Sequence, residues 1–91
     1  MGLGRVYVIT FTRSYDYEGG NTIPVGVSDD PEQAYDLAWT LAGEMFNGDG
    51  DSEDIDIYEF ASKTMPTLVR SVVRTTTNKT SPVRCSWVER A

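Results

Sequence analysis

Between Asp29 and Gly48 the chain spells out one helix from start to stop, "DDPEQAYDLAWTLAGEMFNG", and no other stretch limits the fold as much. Asp30 suits the N-cap, where a short acidic side chain accepts from the first unpaired backbone N–H groups. Pro31 fits the first helical position, and Gln33 would complete a capping box. Asn47-Gly48 supplies the stop. At helical spacing Ala34, Leu37, Ala38, Leu41, Ala42 and Met45 share an arc of about 140°, which Tyr35, Trp39 and Phe46 widen by about 60° on one flank. Glu32, Asp36, Thr40 and Glu44 take the other side. A helix with one broad apolar arc must lie on something, and the sequence around it reads as strands.

"RVYVITFT" is apolar on both faces, with Val6, Val8 and Thr10 opposed to Tyr7, Ile9 and Phe11, the pattern of a central strand. "RSYDYEGGN" reads as a loop. "TIPVGVS" reads as a strand placed on an edge, because Pro24 cannot donate to a ladder. "DIDIYEF" alternates Ile55, Ile57 and Glu59 with Asp56, Tyr58 and Phe60. "TLVRSVVRTT" and "PVRCSWVER", separated by "TNKTS", read as a hairpin. Its inward positions are expected at Val69, Ser71, Val73, Val83, Cys85 and Trp87, and a basic outward face at Arg70, Arg74, Arg84 and Arg90.

The expectation is an α+β fold: a mostly antiparallel sheet of four to five strands, ββαβββ, with one amphipathic helix packed on one face. A right-handed crossover through the helix places the third strand beside the first. The last hairpin then continues the sheet or curls over its open face. At 91 residues the chain is expected to be a single domain over 1–91, with a ββαβ core over 5–60 and a basic C-terminal hairpin over 66–90. The helix's surplus apolar arc calls for cover, from Trp87 of the last hairpin or from a second copy.

Charge is distributed unevenly. The net charge is −6, but from Ser14 to Ser62 there are thirteen acids and no Lys or Arg, whereas from Lys63 onward six basic residues meet only Glu89. Such asymmetry speaks to association rather than to fold. "NGDGDSEDIDIYEF" alone packs six carboxylates into fourteen positions. Asp49, Asp51 and Glu53 alternate as calcium ligands do. However, Asp54 stands where the turn needs Gly and Phe60 where a bidentate Glu is required. The preferred reading is a solvated loop with no metal and no cofactor, and a divalent-ion or small-ligand site over residues 49–54 is an alternative.

No catalytic residues are assigned. Histidine is absent, there is no phosphate-cradling glycine loop, and the single cysteine, Cys85, reads as a small buried hydrophobe. Tyr15, Asp16, Tyr17 and Glu18 form a tyrosine-bearing loop suited to contact. The chain lacks a membrane-length apolar run and a signal-peptide pattern. With one cysteine this points to a cytoplasmic address. Direct binding of nucleic acid is disfavoured by the acidic total.

"VYVITFTRSYDYEGG", "PVGVSDDPEQAYDLA" and "DIYEF", with Gly26, Val27, Ser28, Glu32 and Ala34 matching a G-V-S/F-x-x-x-E-x-A helix start, resemble small uncharacterised bacteriophage accessory proteins with a hairpin–helix–strand core. The resemblance spans about two-thirds of the chain and excludes the last hairpin. It implies a bacterial host cell and a non-enzymatic protein that binds and inhibits a host protein. The expected docking residues are Tyr15, Asp16, Tyr17, Glu18, Asp29, Asp30, Asp36, Trp39, Asp49, Asp51, Glu53 and Asp54. Asp29, Asp30, Asp36, Asp49, Asp51, Glu53 and Asp54 could stand in for phosphates as a nucleic-acid mimic. A self-associating, homodimeric structural or regulatory module is the alternative.

Overall fold

A computed structural model describes residues 4–15, 19–61, 64–76 and 82–90. The elements run β1 (Val6–Tyr15), β2 (Gly19–Ser28), α1 (Pro31–Met45), β3 (Ser52–Phe60), β4 (Thr67–Arg74) and β5 (Cys85–Glu89). The five strands form one sheet in the order β2-β1-β3-β4-β5, and every neighbouring pair is antiparallel. The fold is α+β, with α1 on one face. β1 is internal and β2 lies on an edge, as Pro24 requires. The last hairpin extends the sheet instead of curling over it.

The first hairpin is longer than its sequence suggests. Arg13, Ser14 and Tyr15 pair with Asn21, Gly20 and Gly19, so both ends of the expected loop are ladder. The helix start also differs in one detail. Asp30 accepts from the Glu32 N–H at 3.1 Å, but its own N–H donates to Ser28 Oγ at 3.1 Å. Ser28, and not Gln33, thus closes the cap.

Cross-strand pairing sorts the side chains onto two faces. On the helix side, Tyr7, Ile9, Phe11 and Arg13 stand opposite Glu59, Ile57, Ile55 and Glu53. Val72 stands opposite Ile55 on one flank and Trp87 on the other. Ala34, Ala38 and Ala42 meet this surface fully buried. Leu37 and Leu41 are only half-buried beside them. Small residues at the contact let α1 come close, and Gly26 extends the same economy to β2: a Cβ there would lie 2.8 Å from Leu37 Cδ2.

β4 corrects an expected register. Its helix-side positions are Arg70, Val72 and Arg74, opposite Glu89, Trp87 and Cys85; Ser71 and Val73 face the other way. A register shift next to Ile57 sets this phase, and nothing in the alternation of "TLVRSVVR" favours one phase over the other. The expected outward basic face is therefore not assembled: Arg70 and Arg74 turn to the helix side. Trp87 does cover the aromatic flank of α1, stacking on Trp39 with ring centroids 5.6 Å apart and meeting Tyr35 edge-on at 6.1 Å.

Candidate functional site

The acidic stretch after α1 is divided by the pleat of β3. Glu53 is 1% exposed, which overturns the expectation that water surrounds it. Arg13 reaches it from β1, with Nη2 2.9 Å from Oε2. Arg74 reaches it from β4, with Nη1 2.7 Å from Oε1. The loop then folds over this carboxylate: Gly48 N–H donates at 2.9 Å and Asn47 N–H at 3.2 Å. Burial alone would push the Glu53 carboxyl upward, but the Gly48, Arg13, Arg74 and Asn47 hydrogen bonds outweigh it and hold the group below its ordinary range.

The same arginines bind the loop itself. Arg74 donates to the carbonyls of Asp49 and Gly50 at 2.9 and 2.8 Å. Arg13 donates to the Met45 carbonyl at 3.3 Å, where the negative end of the helix dipole favours a cation. Gly50 is confined by this wrap. Its φ is +76°, and a Cβ would lie 2.7 Å from the Ser14 carbonyl oxygen. Part of the loop's acidity is thus internal cement, and Glu53 leaves the set of docking residues. With Glu53 held by two guanidinium groups, it cannot also ligate an ion alongside Asp49 and Asp51. Among the described residues no group of three or more His, Cys, Asp or Glu is placed to hold a metal.

Asp54 lies on the opposite face with Asp56, opposite Thr12 and Val73. Burial, a hydrogen bond to Asp56 and the charge of Asp56 push its carboxyl up to about 7, against a smaller downward pull from Arg90. Ser71 Oγ donates to Asp56 Oδ1 at 2.6 Å, and Arg90 Nε donates to Ser71 Oγ at 3.0 Å. Across from Asp56, the Thr10 hydroxyl is buried with no hydrogen-bond partner. This face can hold one proton near neutrality between two carboxylates. It does not add Asp54 to the acid row on the helix side, so the phosphate-mimicking row loses two of its seven members.

The remaining predicted residues divide as follows. Asp16, Tyr17 and Glu18 lie outside the described residues. Tyr15 ends β1, 38% exposed, beside a cavity of about 200 Å³ that it lines with Phe11, Arg13, Asn21 and Ile23. Asp30 is the helix cap. Asp29 lines a groove of about 540 Å³ with Val6, Val27, Ser28, Gln33 and Leu37. Asp49 and Asp51 are exposed, and the Asp51 N–H closes the loop on the Ser14 carbonyl at 2.8 Å. Asp36 is exposed on α1 beside Trp39, which stays 44% exposed although stacked on Trp87.

Arg13, Arg70, Arg74 and Trp87 have the largest share in shaping these surfaces, and none was among the predicted site residues. Arg70 lies over the Trp87 ring at 4.0 Å and the Tyr35 ring at 4.7 Å, with Glu89 at 2.6 Å as its counter-charge. Cys85 faces this side too, and burial pushes its thiol up. Among the described residues no helix is long and apolar enough to cross a membrane. Comparison with protein-family models, with curated proteins and with solved structures found no match.

Proposed function

We propose that this chain is a non-enzymatic binding protein that docks on a protein partner through the acidic outer side of α1 and its flanking loops. The observation that carries this reading is the allocation of arginines. Arg5 pairs with Glu59, Arg13 and Arg74 with Glu53, and Arg70 with Glu89. Among the described residues no such pair reaches Asp29, Glu32, Asp36 or Glu44, three of them on α1. These arginines, from both ends of the sequence, therefore neutralise carboxylates of the sheet and leave the outer side of α1 negative. Uncompensated charge gathered on one side steers association with a basic surface.

The phage resemblance supplies the setting of the proposal, a bacterial cytosol in which the partner is a host protein. The test is a pull-down from bacterial lysate with the wild-type chain and an Asp29→Lys, Glu32→Lys, Glu44→Lys variant. Capture by the wild type alone, weakening steeply with salt, is the expected result. Equal capture by both, or affinity indifferent to salt, would sink the reading.

A further inference from the structure

Arg70 shows how this protein holds a guanidinium group: over an aromatic ring, with a carboxylate beside it. The outer side of α1 repeats that constellation with the cation missing. Trp39 rests one ring face on Trp87, 22° from parallel, and keeps 44% of its surface exposed. Asp36 stands one turn before it and, in the next row, Glu32. At helical spacing Asp36 and Trp39 are surface neighbours, and a helical side chain leans over the turn before it, which brings the indole toward Asp36. One turn after Trp39, Gly43 leaves the shelf bare: a Cβ there would meet nothing within 4 Å. A glycine inside a helix is unfavourable, and no packing neighbour accounts for this one.

We propose that Trp39, Asp36 and Gly43 form a shelf for an arginine side chain presented by a segment of the protein partner. The partner chemistry follows from complementarity. An exposed indole face attracts a planar cation, the adjacent carboxylates supply its counter-charge, and arginine stacks where lysine makes a more strongly hydrated point contact. The inference rests on the binding reading above and names the feature that reading would recognise.

The test uses an acetylated, amidated peptide alternating glycine with three arginines, and a citrulline twin that keeps shape and loses charge. Binding to the full chain is followed by calorimetry and by the Trp39 indole N–H resonance. The expected result is saturable binding of the arginine peptide with the Trp39 signal shifted, and affinity lower by about tenfold for the citrulline twin. Gly43→Arg, which fills open space and sets a cation on the shelf, and Trp39→Leu should each cost a similar factor. Unchanged affinity in both variants overturns the shelf; if Asp29→Lys with Glu44→Lys still weakens the peptide, the acidic-surface reading survives, and if not, both fall. No binding by the wild type at millimolar peptide also overturns the shelf, leaving the lysate experiment to judge the wider reading. Self-association abolished by Gly43→Arg would overturn it in favour of a second copy, whose exposed Arg84 would be the occupant.

Discussion

Glu53 and Asp54 are adjacent in the chain and point to opposite faces of the sheet, the first sealed by Arg13 and Arg74, the second set against Asp56. The period-two pleat thus turns one run of acids into two devices of opposite electrostatic sense. Glu53 is stabilised as an anion, while Asp54 is held toward its protonated form.

Removing one member of the Glu53 cluster should be costly. The Arg74 side chain is 1% exposed and that of Glu53 fully buried, so Arg74→Met strands a carboxylate with half its counter-charge. About 3–5 kcal/mol should be lost, a large part of the roughly 5–15 kcal/mol that holds a small domain folded. Urea titration checks this. Glu53→Gln combined with Arg74→Met should cost clearly less than the sum of the single variants, because each removes the reason for the other. Additivity would mean the cluster does not act as a unit.

Stability should peak in mildly acid solution. Between the ordinary value of 3.8 and about 7, folded Asp54 holds a proton that the unfolded chain has released, so its contribution is present at low pH and fades as pH rises through that window. Glu53 works the other way. Its folded value lies below the ordinary 4.5, so its contribution is present above 4.5 and is lost as pH falls. The two slopes meet near pH 4.5. After allowance for partial exposure, the decline toward pH 7 should be on the order of 1–2 kcal/mol. Denaturant midpoints across pH 4–8 report it, and Asp54→Asn should flatten that limb alone.

The helix, its cap residue and the central place of β1 were legible because each rests on local pattern. The Glu53 cluster was also within reach. The inward row Tyr7, Ile9, Phe11 continues to Arg13, the row Ile57, Ile55 continues to Glu53, and pairing Phe11 with Ile55 sets the two charges opposite each other. What hides it is the glycine- and aspartate-rich run before Asp54, which reads as a loop although β3 begins at Ser52. The phase of β4 was not legible. In "TLVRSVVR" both faces mix valine with a polar residue, so the choice falls to the register shift beside Ile57, which only the folded sheet decides.

Two glycines should respond to alanine with opposite sign. Gly50 sits at φ +76° with the Ser14 carbonyl where a Cβ would go, so Gly50→Ala should cost about 1–3 kcal/mol. Gly43 is helical with open space around it, so Gly43→Ala should gain about 0.5–1 kcal/mol. Thermal melts of the pair, run side by side, check both. A loss at Gly43 would reveal a constraint on α1 that its surroundings do not show.

The Arg70 cluster allows stacking to be separated from ion pairing. Arg70 rests on Trp87 and Tyr35 and pairs with Glu89, whose side chain is 64% exposed. An ion pair open to water on one side contributes less than about 1 kcal/mol, whereas a guanidinium on a half-buried indole contributes about 1–2 kcal/mol. Glu89→Gln should therefore shift the urea midpoint only slightly. Arg70→Gln should shift it several times further, because it also uncovers the ring that supports Trp39. Added salt should erase most of the Glu89 effect and little of the Arg70 effect, since screening acts on charges facing water. If the two substitutions instead proved equal and equally sensitive to salt, the ion pair would be the contact that fastens β5 to β4, and the stacked geometry would be its consequence.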